Sequence, residues 1–388
     1  FYNYKNKEII DRVKGSGRKH VDALGIADYV NLLKRSSGLI GNSSSGIHET
    51  PTFNIPTINI GSRQNGRLRS NNVFDSNYDK DEIIIPSHTY CASANVVVHT
   101  GAKAVMVDIG DDDFNMALDK IEAAITPRTK VIMPVDVSGF PCDYDEILTM
   151  AIKQQKLFNP SNEKQQKLGR ILIASDAAHS FGALYKGKRS GSLTDVSCFS
   201  FHAVKNLTTA EGGAVCFNLP DDFDHDEIYS DFVTITLHGQ SKDALAKTKK
   251  GAWKYDVVTP GYKCNMTDIQ AAIGLVELDR YDENIDRRKT IFSAYEKAFS
   301  AESWAILPSH KNSAKTSSYH LYLLRINGIT ESERDAIIQE IFEQDVSVNV
   351  HFQPLPLLTA YKNLGYDISD YPVAHNKYQS EITLPVYF

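Results

Sequence analysis

Residues 197–215 read SCFSFHAVKNLTTAEGGAV, and this stretch decides how the rest of the chain is interpreted. An apolar, strand-like run at residues 196–201 comes before Lys205, and the pair Gly212 and Gly213 comes after it. We therefore predict that the lysine lies in a loop between buried elements. Because a single lysine at the end of a strand is a surface charge in most proteins, the neighbouring motifs must decide whether it is functional.

A second motif, ILIASDAAHSFGA, lies upstream at residues 171–183. A short, mostly apolar strand is predicted over residues 171–175; it ends at Asp176, and His179 follows shortly after. Open α/β sheets place ligand-binding residues at the carboxyl ends of their strands. The two motifs together therefore predict a site that contains Asp176, His179 and Lys205.

The order of these motifs resembles the signature of the DegT/DnrJ/EryC1/StrS family of pyridoxal-phosphate-dependent nucleotide-sugar aminotransferases. That signature runs D-A-A-[HQ] and then F-S-F-H-x-x-K-N-x-T-x-x-E-G-G, and the resemblance covers about residues 78–388. It implies the aspartate aminotransferase-like fold of the fold type I transferases. This is an α/β fold with a mainly parallel sheet and a smaller C-terminal α/β domain.

The resemblance also implies a cofactor, pyridoxal 5'-phosphate, and residues that bind it. Lys205 would form the Schiff base, Asp176 would pair with the pyridine nitrogen, His179 would lie by the ring and Ser200 would bind the phosphate. Tyr90, in SHTYCAS, matches an aromatic residue that stacks on the cofactor ring in the family. The alternative for this tyrosine is a half-buried core position.

Two later segments match family positions near the substrate. Residues 261–266, GYKCNM, correspond to a segment that reaches across a homodimer interface and contacts the partner's cofactor phosphate. We favour Asn265 for that contact, and Lys263 could equally neutralise a phosphate as a point charge. His351 matches a position that lines the sugar pocket. A second histidine is frequent in the family a few residues later, but residues 354–356 read PLP here.

The resemblance implies transamination. A protonated pyridine ring accepts electrons from a carbanion, and an ionised Asp176 favours that protonated ring. Lys205, once displaced by the amino donor, can act as general base and acid, which requires a pKa lowered toward neutrality. The implied donor is L-glutamate, which yields 2-oxoglutarate. The implied acceptor is a UDP- or dTDP-linked 4-keto-6-deoxyhexose, in the biosynthesis of cell-surface polysaccharide or lipopolysaccharide. A dehydrating branch of the family has histidine at this lysine, so Lys205 argues against that branch.

The composition is that of an ordinary globular protein and excludes several classes. The 388 residues are 42% hydrophobic and 23% charged, with a formal net charge of -6, which leaves no basic field for nucleic acid. The five cysteines are odd in number and scattered, which argues against a disulfide framework or a zinc site and favours the cytoplasm. No apolar run approaches the roughly 18 residues of a membrane span.

Residues 1–75 do not fit the aminotransferase pattern. Their order of strand, serine-rich loop and second strand is typical of part of a Rossmann-like nucleotide-binding domain. The block GNSSSGIHETPTFNIPTINI resembles the C-terminal UDP-binding part of hydrolysing UDP-N-acetylglucosamine 2-epimerases. In that resemblance Ser44, Ser45, Gly46 and Glu49 belong to a turn that binds a diphosphate at a helix N-terminus. The alternative is a helix cap without a ligand. We expect no epimerase activity, because the epimerase's catalytic acids belong to a segment that has no counterpart here.

We therefore predict three domains: residues 1–75, an epimerase-like fragment; residues 76–280, the large cofactor-binding domain; and residues 281–388, the small C-terminal domain. The alternation of short apolar strands and helices after residue 81 predicts βαβ units and a mainly parallel sheet. A long amphipathic helix is also predicted, with apolar residues at helical spacing: Ile269, Ile273, Leu275 and Leu278.

One departure from the family concerns the cofactor phosphate. The family carries a segment S-G-T-x-A-L before the strand that corresponds to residues 82–86, and epimerase-like sequence stands there instead. We hypothesise that Ser44 or Ser45 binds the phosphate in its place. The alternative function is a catalytically impaired remnant that serves as a nucleotide-sugar-binding or assembly module.

Overall fold

The computed structural model describes residues 81–241 and 254–387, together with the backbone of three earlier strands. The chain divides into two compact units, Phe1–Lys80 and Asp81–Phe388. The strands described in the first unit are β1 (Leu39–Gly41), β2 (Thr57–Ile60) and β3 (Val73–Ser76). They form a parallel sheet in the order β1-β2-β3.

The first unit agrees with the predicted strands and adds one. The sequence predicts a helix at residues 26–33, strands at residues 38–41 and 56–60, and a polar junction between domains at residues 73–81. Strands β1 and β2 lie at the predicted positions, whereas β3 lies in the predicted junction. Strand β3 pairs in parallel with β2 from Val73 to Ser76, a contact between two chain segments that the polar composition of the predicted junction does not show. The predicted helix at residues 26–33 and the serine turn lie outside the described residues.

The second unit is built on a six-stranded sheet. Its strands are β4 (Glu82–Pro86), β5 (Lys103–Val107), β6 (Thr129–Ile132), β7 (Leu172–Asp176), β10 (Val196–Ser200) and β11 (Gly213–Phe217). Two short strands, β8 (Leu184–Tyr185) and β9 (Lys188–Arg189), intervene in the chain. The sheet order is β11-β10-β7-β6-β4-β5, and only the β10–β11 pair is antiparallel.

Helices connect these strands and continue to the C-terminus. They are α1 (Cys91–His99), α2 (Leu118–Ala124), α3 (Tyr144–Lys153), α4 (Glu163–Leu168), α5 (His225–Thr236), α6 (Asp268–Asp279), α7 (Tyr281–Phe299), α8 (Glu331–Phe342), α9 (Thr359–Lys362) and α10 (Pro372–Ser380). In the part of the chain that the structure describes, no helix is both long and apolar enough to cross a membrane.

The remaining strands form two small antiparallel sheets. They are β12 (Ala305–Ile306), β13 (Lys315–Thr316), β14 (Tyr322–Ile326) and β15 (Glu381–Leu384). One sheet has the order β12-β14-β15, and the other has the order β13-β8-β9. The predicted division of the second unit after residue 280 stays a prediction.

The large sheet has an apolar core on both faces. In β4, Ile84 and Ile85 are fully buried and point to opposite faces, as successive residues of a strand must. Ile84 packs in a cluster with Ile132 and Ile147, the latter from α3. Ile85 packs in a second cluster with Ala94 of α1 and with residues from α9 and α10. Burial on both faces explains why the predicted strands read as continuous apolar runs.

The predicted amphipathic helix differs from its expectation in two ways. It is two helices, α6 and α7, which meet at Arg280. Helix α6 has no buried residue, and Ile269 and Leu275 are 77% and 65% exposed. The apolar side chains of this helix are therefore not buried by any of the described residues. Exposed apolar surface of this kind is typical of an interaction surface.

Candidate active site

The ends of three parallel strands of the large sheet position the site. Parallel strands β4, β7 and β10 place their carboxyl ends at the same edge of the sheet. Asp176 ends β7, Ser200 ends β10, and Tyr90 follows β4 at the start of α1. Strand β4 lies between β5 and β6, so the order in which successive strands are added to the sheet reverses at this point. Ligands bind at such reversal points in open α/β sheets.

Asp176 is held by hydrogen bonds to its carboxylate. Ser93 of α1 donates to Oδ2 over 2.7 Å, and the backbone N–H of Ala178 donates to Oδ1 over 3.2 Å. Ser93 Oγ also lies 3.1 Å from Thr89 Oγ1. These contacts fix the direction of the carboxylate. Ser93 was not predicted from the sequence, because it lies 83 residues from Asp176 and no local pattern links the two.

Lys205 lies in the predicted loop, and its backbone N–H donates to the carbonyl of His202 over 2.9 Å. Burial lowers the pKa of Lys205, and the charge of Asp176 acts in the opposite direction. The lysine charge in turn lowers the pKa values of His179 and His351, so these groups share one electrostatic environment. The structure thus brings together Lys205, Asp176, His179 and His351, as predicted.

His179 is buried at the base of the site. Its ring is stacked 5.8 Å from Phe352 and lies 4.4 Å from the ring of His320. Its Nδ1 has no hydrogen-bond partner among the described residues, although the atom is buried. Burial and the charge of Lys205 keep the pKa of His179 well below its usual value, so the ring is neutral. A buried polar atom without a partner is costly unless a ligand satisfies it.

His320 and Asn206 form a connection that the sequence did not reveal. Asn206 Nδ2 donates to the carbonyl of Ser318 over 2.7 Å, so its Oδ1 faces His320 Nδ1 at 2.8 Å. The asparagine oxygen can only accept, which places a hydrogen on Nδ1 of His320. The partners are 114 residues apart. Their contact orients the histidine that packs on His179.

His351 reaches the site from the C-terminal part of the chain. Its Nδ1 lies 2.9 Å from Thr383 Oγ1, and its backbone N–H donates to Glu381 over 2.9 Å. The next residue, Phe352, has its ring 6.1 Å from that of Tyr90. Tyr90 is 61% exposed, so it is not the half-buried core residue of the alternative interpretation. An exposed ring at the site is free to stack on a ligand.

The other predicted residues lie nearer the surface. Ser200 is partly buried, and its hydroxyl accepts from the backbone N–H of His202 over 3.3 Å. Lys263 and Asn265 are both exposed, and the lysine Nζ donates to the asparagine Oδ1. Ser44, Ser45 and Glu49 lie outside the described residues. Their role as ligands of a phosphate therefore stays a hypothesis.

An open pocket of about 430 Å³ lies beside Lys205. Its lining is polar and includes four basic side chains; it consists of Lys205, Asn206, Thr208, Glu277, Arg280, Asn284, Arg287, Arg288 and Tyr387. Arg280 pairs with Glu277, Arg287 pairs with Glu283, and Arg288 donates to the carbonyl of His320 over 3.2 Å. The charges of Lys205 and Arg288 favour an anionic ligand.

The residues present fit pyridoxal 5'-phosphate. The cofactor requires an amine for attachment, a carboxylate for the ring nitrogen and flat groups beside the ring. Lys205 and Asp176 supply the first two, and the exposed ring of Tyr90 and the unpartnered Nδ1 of His179 supply contacts for a flat polar ligand. Bound there, the cofactor would act as the electron sink of amino transfer.

Comparisons with known families identify both parts of the chain. The model of the DegT/DnrJ/EryC1/StrS aminotransferase family matches residues 70–388. The model of UDP-N-acetylglucosamine 2-epimerase matches residues 3–106. Both predicted resemblances are therefore confirmed.

Two curated proteins are similar over most of the chain. The spore coat polysaccharide biosynthesis protein SpsC of Bacillus subtilis is 36% identical over 313 residues, which cover 79% of this chain and 74% of SpsC. The GDP-perosamine synthase of Caulobacter vibrioides is 34% identical over 287 residues, which cover 74% of this chain and 69% of the synthase. The chain is thus similar to proteins of sugar and polysaccharide biosynthesis.

Among solved structures, Spr1654 of Streptococcus pneumoniae, named as a sugar aminotransferase, is similar in its PMP-form. Its TM-score is 0.76 at 50% identity, and the match covers 79% of this chain and 77% of Spr1654. The PLP-form of Spr1654 gives a TM-score of 0.75 at 48% identity, over 79% of this chain and 76% of Spr1654. The predicted fold class is confirmed, and the predicted cofactor and enzyme class are confirmed for the family. The chain belongs to the DegT/DnrJ/EryC1/StrS aminotransferase family.

Proposed function

We propose that this chain transfers an amino group from L-glutamate to a keto group of a nucleotide-linked 4-keto-6-deoxy sugar, with pyridoxal 5'-phosphate attached to Lys205. The observation that carries the proposal is the environment of Lys205. Its amine is half-buried, its pKa is lowered by burial, and it interacts with the carboxylate of Asp176. A lysine with a lowered pKa holds a larger fraction of neutral, nucleophilic amine than a lysine in water.

Each residue has a defined task in this proposal. Asp176, oriented by Ser93, holds a proton on the nitrogen of the cofactor ring, since a nearby carboxylate favours a cationic partner. Lys205 accepts and returns the proton that moves during amino transfer. His179 and Phe352 enclose the ring on the side of the C-terminal segment and exclude water there. Ser200 and Asn265 bind the phosphate.

The proposed acceptor rests on charge and on relatives. The basic pocket beside Lys205 favours an anionic ligand such as a sugar linked to a nucleoside diphosphate. A relative of 34% identity is named as a GDP-perosamine synthase, so a GDP-linked sugar belongs with the UDP- and dTDP-linked sugars as a candidate. His351 and Lys263 are the proposed contacts to this substrate. The five cysteines are free, which fits a reducing cytoplasm.

We also propose that the chain acts as a homodimer. Helix α6 exposes the apolar side chains of Ile269, Leu275 and Leu278, and its N-terminal neighbour Asn265 is exposed as well. Exposed apolar surface of this kind is suited to pack on a second copy. Asn265 and Lys263 would then reach the cofactor phosphate of the partner.

Absorbance tests the cofactor assignment directly. Purified protein with added pyridoxal 5'-phosphate is expected to show the visible band of lysine-bound cofactor, and Lys205→Ala is expected to lose it. Transfer from ¹⁵N-labelled L-glutamate to UDP-, dTDP- and GDP-linked 4-keto-6-deoxy sugars then tests the reaction. A protein without the visible band at saturating cofactor would contradict the proposal, and a band without transfer to any of the three would contradict the proposed acceptor.

A second candidate function rests on the epimerase match at residues 3–106. In this alternative the first unit binds a uridine nucleotide, and the chain serves as a nucleotide-sugar-binding or assembly module. Calorimetric titration with UDP distinguishes the two candidates when it is done on the wild type and on Ser45→Ala. Binding of UDP that requires Ser45, in a protein without the visible band, favours the module.

A further inference from the structure

Behind His351 lies a buried hydrogen-bonded group that the proposed reaction does not use. Glu381 begins β15 and is fully buried. Its Oε1 accepts from Thr383 Oγ1 over 2.6 Å, and its Oε2 accepts from the backbone N–H of His351 over 2.9 Å. The same Thr383 oxygen lies 2.9 Å from His351 Nδ1. A carboxyl, a hydroxyl and an imidazole therefore form a continuous row.

The donor in each hydrogen bond of this row depends on whether Glu381 carries a proton. Thr383 has one hydroxyl hydrogen, and the two neighbours of its oxygen compete for it. When Glu381 is ionised, its carboxylate can only accept, so Thr383 donates to it and accepts from His351. The hydrogen of the neutral imidazole is then on Nδ1, and Nε2 carries a lone pair.

Protonation of Glu381 reverses the donor and the acceptor in the two hydrogen bonds of Thr383. The backbone N–H of His351 can only donate and occupies Oε2, so the carboxyl proton sits on Oε1 and is donated to Thr383. Thr383 then donates to His351 Nδ1, and the imidazole hydrogen moves to Nε2. Uptake of one proton by Glu381 thus replaces the lone pair on Nε2 of His351 with an N–H.

We propose that Glu381 and Thr383 form a relay that sets the tautomer of His351, so that protonation of the buried carboxyl changes Nε2 of His351 from a hydrogen-bond acceptor into a donor. Both are positioning residues, since they act on a ligand only through His351. Nε2 of His351 makes no hydrogen bond to the residues that the structure describes, so this atom is available to a ligand.

The charges around Glu381 allow it to take up a proton near physiological pH. Arg334 of α8 acts on it as a cation, but its guanidinium donates to the backbone carbonyls of Tyr378 and Glu381 rather than to the carboxylate. Arg325 pairs opposite Glu381 in β14. Burial outweighs the hydrogen bonds from Thr383 and the backbone of His351 and the charge of Arg334, and it raises the pKa of Glu381 to about 8.

His351 itself stays neutral over the same range. Burial and the charge of Lys205 lower the pKa of His351 to about 4, so the ring does not take a second proton above that value. A change at His351 between about pH 6 and about pH 9.5 therefore reports on Glu381 rather than on the imidazole. Below its raised pKa, Glu381 is protonated and His351 carries its hydrogen on Nε2. Above that pKa, Glu381 is ionised and Nε2 carries a lone pair.

The relay gives His351 a means to select its ligand. At low pH the ring offers a donor, which suits a keto oxygen, and at high pH it offers an acceptor, which suits a hydroxyl or an ammonium group. This consequence for a sugar or an amino donor rests on the proposed function. The tautomer itself does not, because it is a property of the chain without substrate.

Nitrogen NMR tests the relay without an activity assay. The full chain is labelled with ¹⁵N-histidine, and the signals of His351 are assigned by their loss in His351→Gln. We expect the hydrogen on Nε2 at about pH 6 and on Nδ1 at about pH 9.5, with a midpoint near pH 8. Thr383→Ser keeps the hydroxyl and should titrate like the wild type, whereas Thr383→Val should show no exchange of the hydrogen.

Two outcomes would overturn the relay: a wild-type tautomer that is the same at both pH values, or a titration in Thr383→Val that matches the wild type. If Thr383→Val does not fold, Glu381→Gln serves in its place, because its side chain has no proton to gain and the tautomer should not depend on pH. Loss of amino transfer with an intact tautomer titration would contradict the proposed function and leave the relay standing.

Discussion

The two ends of the site differ in how completely this chain encloses them. The closed end consists of Asp176, Ser93 and His179, and it lies over a sheet whose central residues are fully buried. The open end consists of Lys205, strand β11 and helix α6, where Val215 is 39% exposed and α6 buries no residue. One sequence thus completes one end of its site and leaves apolar surface at the other.

The difference shows which contacts a single chain supplies. At the closed end Ser93 and Ala178, the described residues that donate to the carboxylate of Asp176, belong to the same unit as Asp176. At the open end, apolar side chains of α6 stand in water at a cost of about 25 cal/mol for each Å² of apolar surface. A natural protein with this surface is expected to cover it in its working state. We therefore expect catalysis to depend on Lys205 and on the closed end, and assembly to depend on the exposed apolar surface of the open end.

The largest expected effect is that of Lys205→Ala. Because the amine is the attachment point and the proton carrier, transfer activity should fall by about 10³-fold or more. The visible band of lysine-bound cofactor should disappear as well. Lys120→Ala is the matched control, since Lys120 is an exposed lysine of α2 that pairs with Asp119. Retention of the band in Lys205→Ala would assign the attachment to another lysine.

The second effect concerns the closed end. Asp176→Asn keeps the shape of the side chain but removes the charge that favours a protonated ring nitrogen, so activity should fall by about 10²-fold or more. Ser93→Ala leaves that charge and removes one hydrogen bond to it, so its loss should be about tenfold. The measurement is the turnover rate at saturating cofactor. Equal losses in the two variants would contradict a charge-based role for Asp176.

The sequence predicted the parts of this architecture that local patterns control. Strand β4 was predicted at its observed bounds, because a strand buried on both faces reads as a continuous apolar run. Lys205 and Asp176 were placed together because both follow strands of one parallel sheet. The structural likeness to Spr1654 confirms the fold that the motifs implied.

The rest depends on contacts between distant parts of the chain. Ser93, Asn206 and Glu381 act through partners that no sequence pattern connects to them, and the Asn206–His320 pair alone spans 114 residues. The apolar residues of α6 were predicted to share one face, but Ile269 and Leu278 lie on opposite sides of the helix, and a spacing does not show what covers them. The strand β3 was missed because the prediction used only the polar composition of the segment, whereas the strand is defined by its backbone pairing with β2.

The third prediction compares the free energy of unfolding after one substitution in the buried sheet and one in the exposed strand β11. Ile132 is fully buried in the sheet, so Ile132→Ala removes packing on all sides and should lower the free energy of unfolding by about 2–5 kcal/mol. Val215 of β11 is 39% exposed, and Val215→Ala should cost less than about 1 kcal/mol. Urea denaturation of both variants measures the difference. A cost for Val215→Ala as large as that for Ile132→Ala would show that β11 is enclosed in the free chain.

The smallest effect on the fold, and the sharpest test of the open end, is expected for Leu275→Ser. Because 65% of this side chain is already exposed, the free energy of unfolding should change by no more than about 0.5 kcal/mol. Association of two copies should weaken, since the same side chain would be buried in the dimer. Sedimentation equilibrium measures the mass of the wild type, of Leu275→Ser and of Leu364→Ser, a control with a leucine that is 58% exposed outside α6. A monomeric wild type, or equal weakening by both variants, would mean that α6 is not the dimer contact.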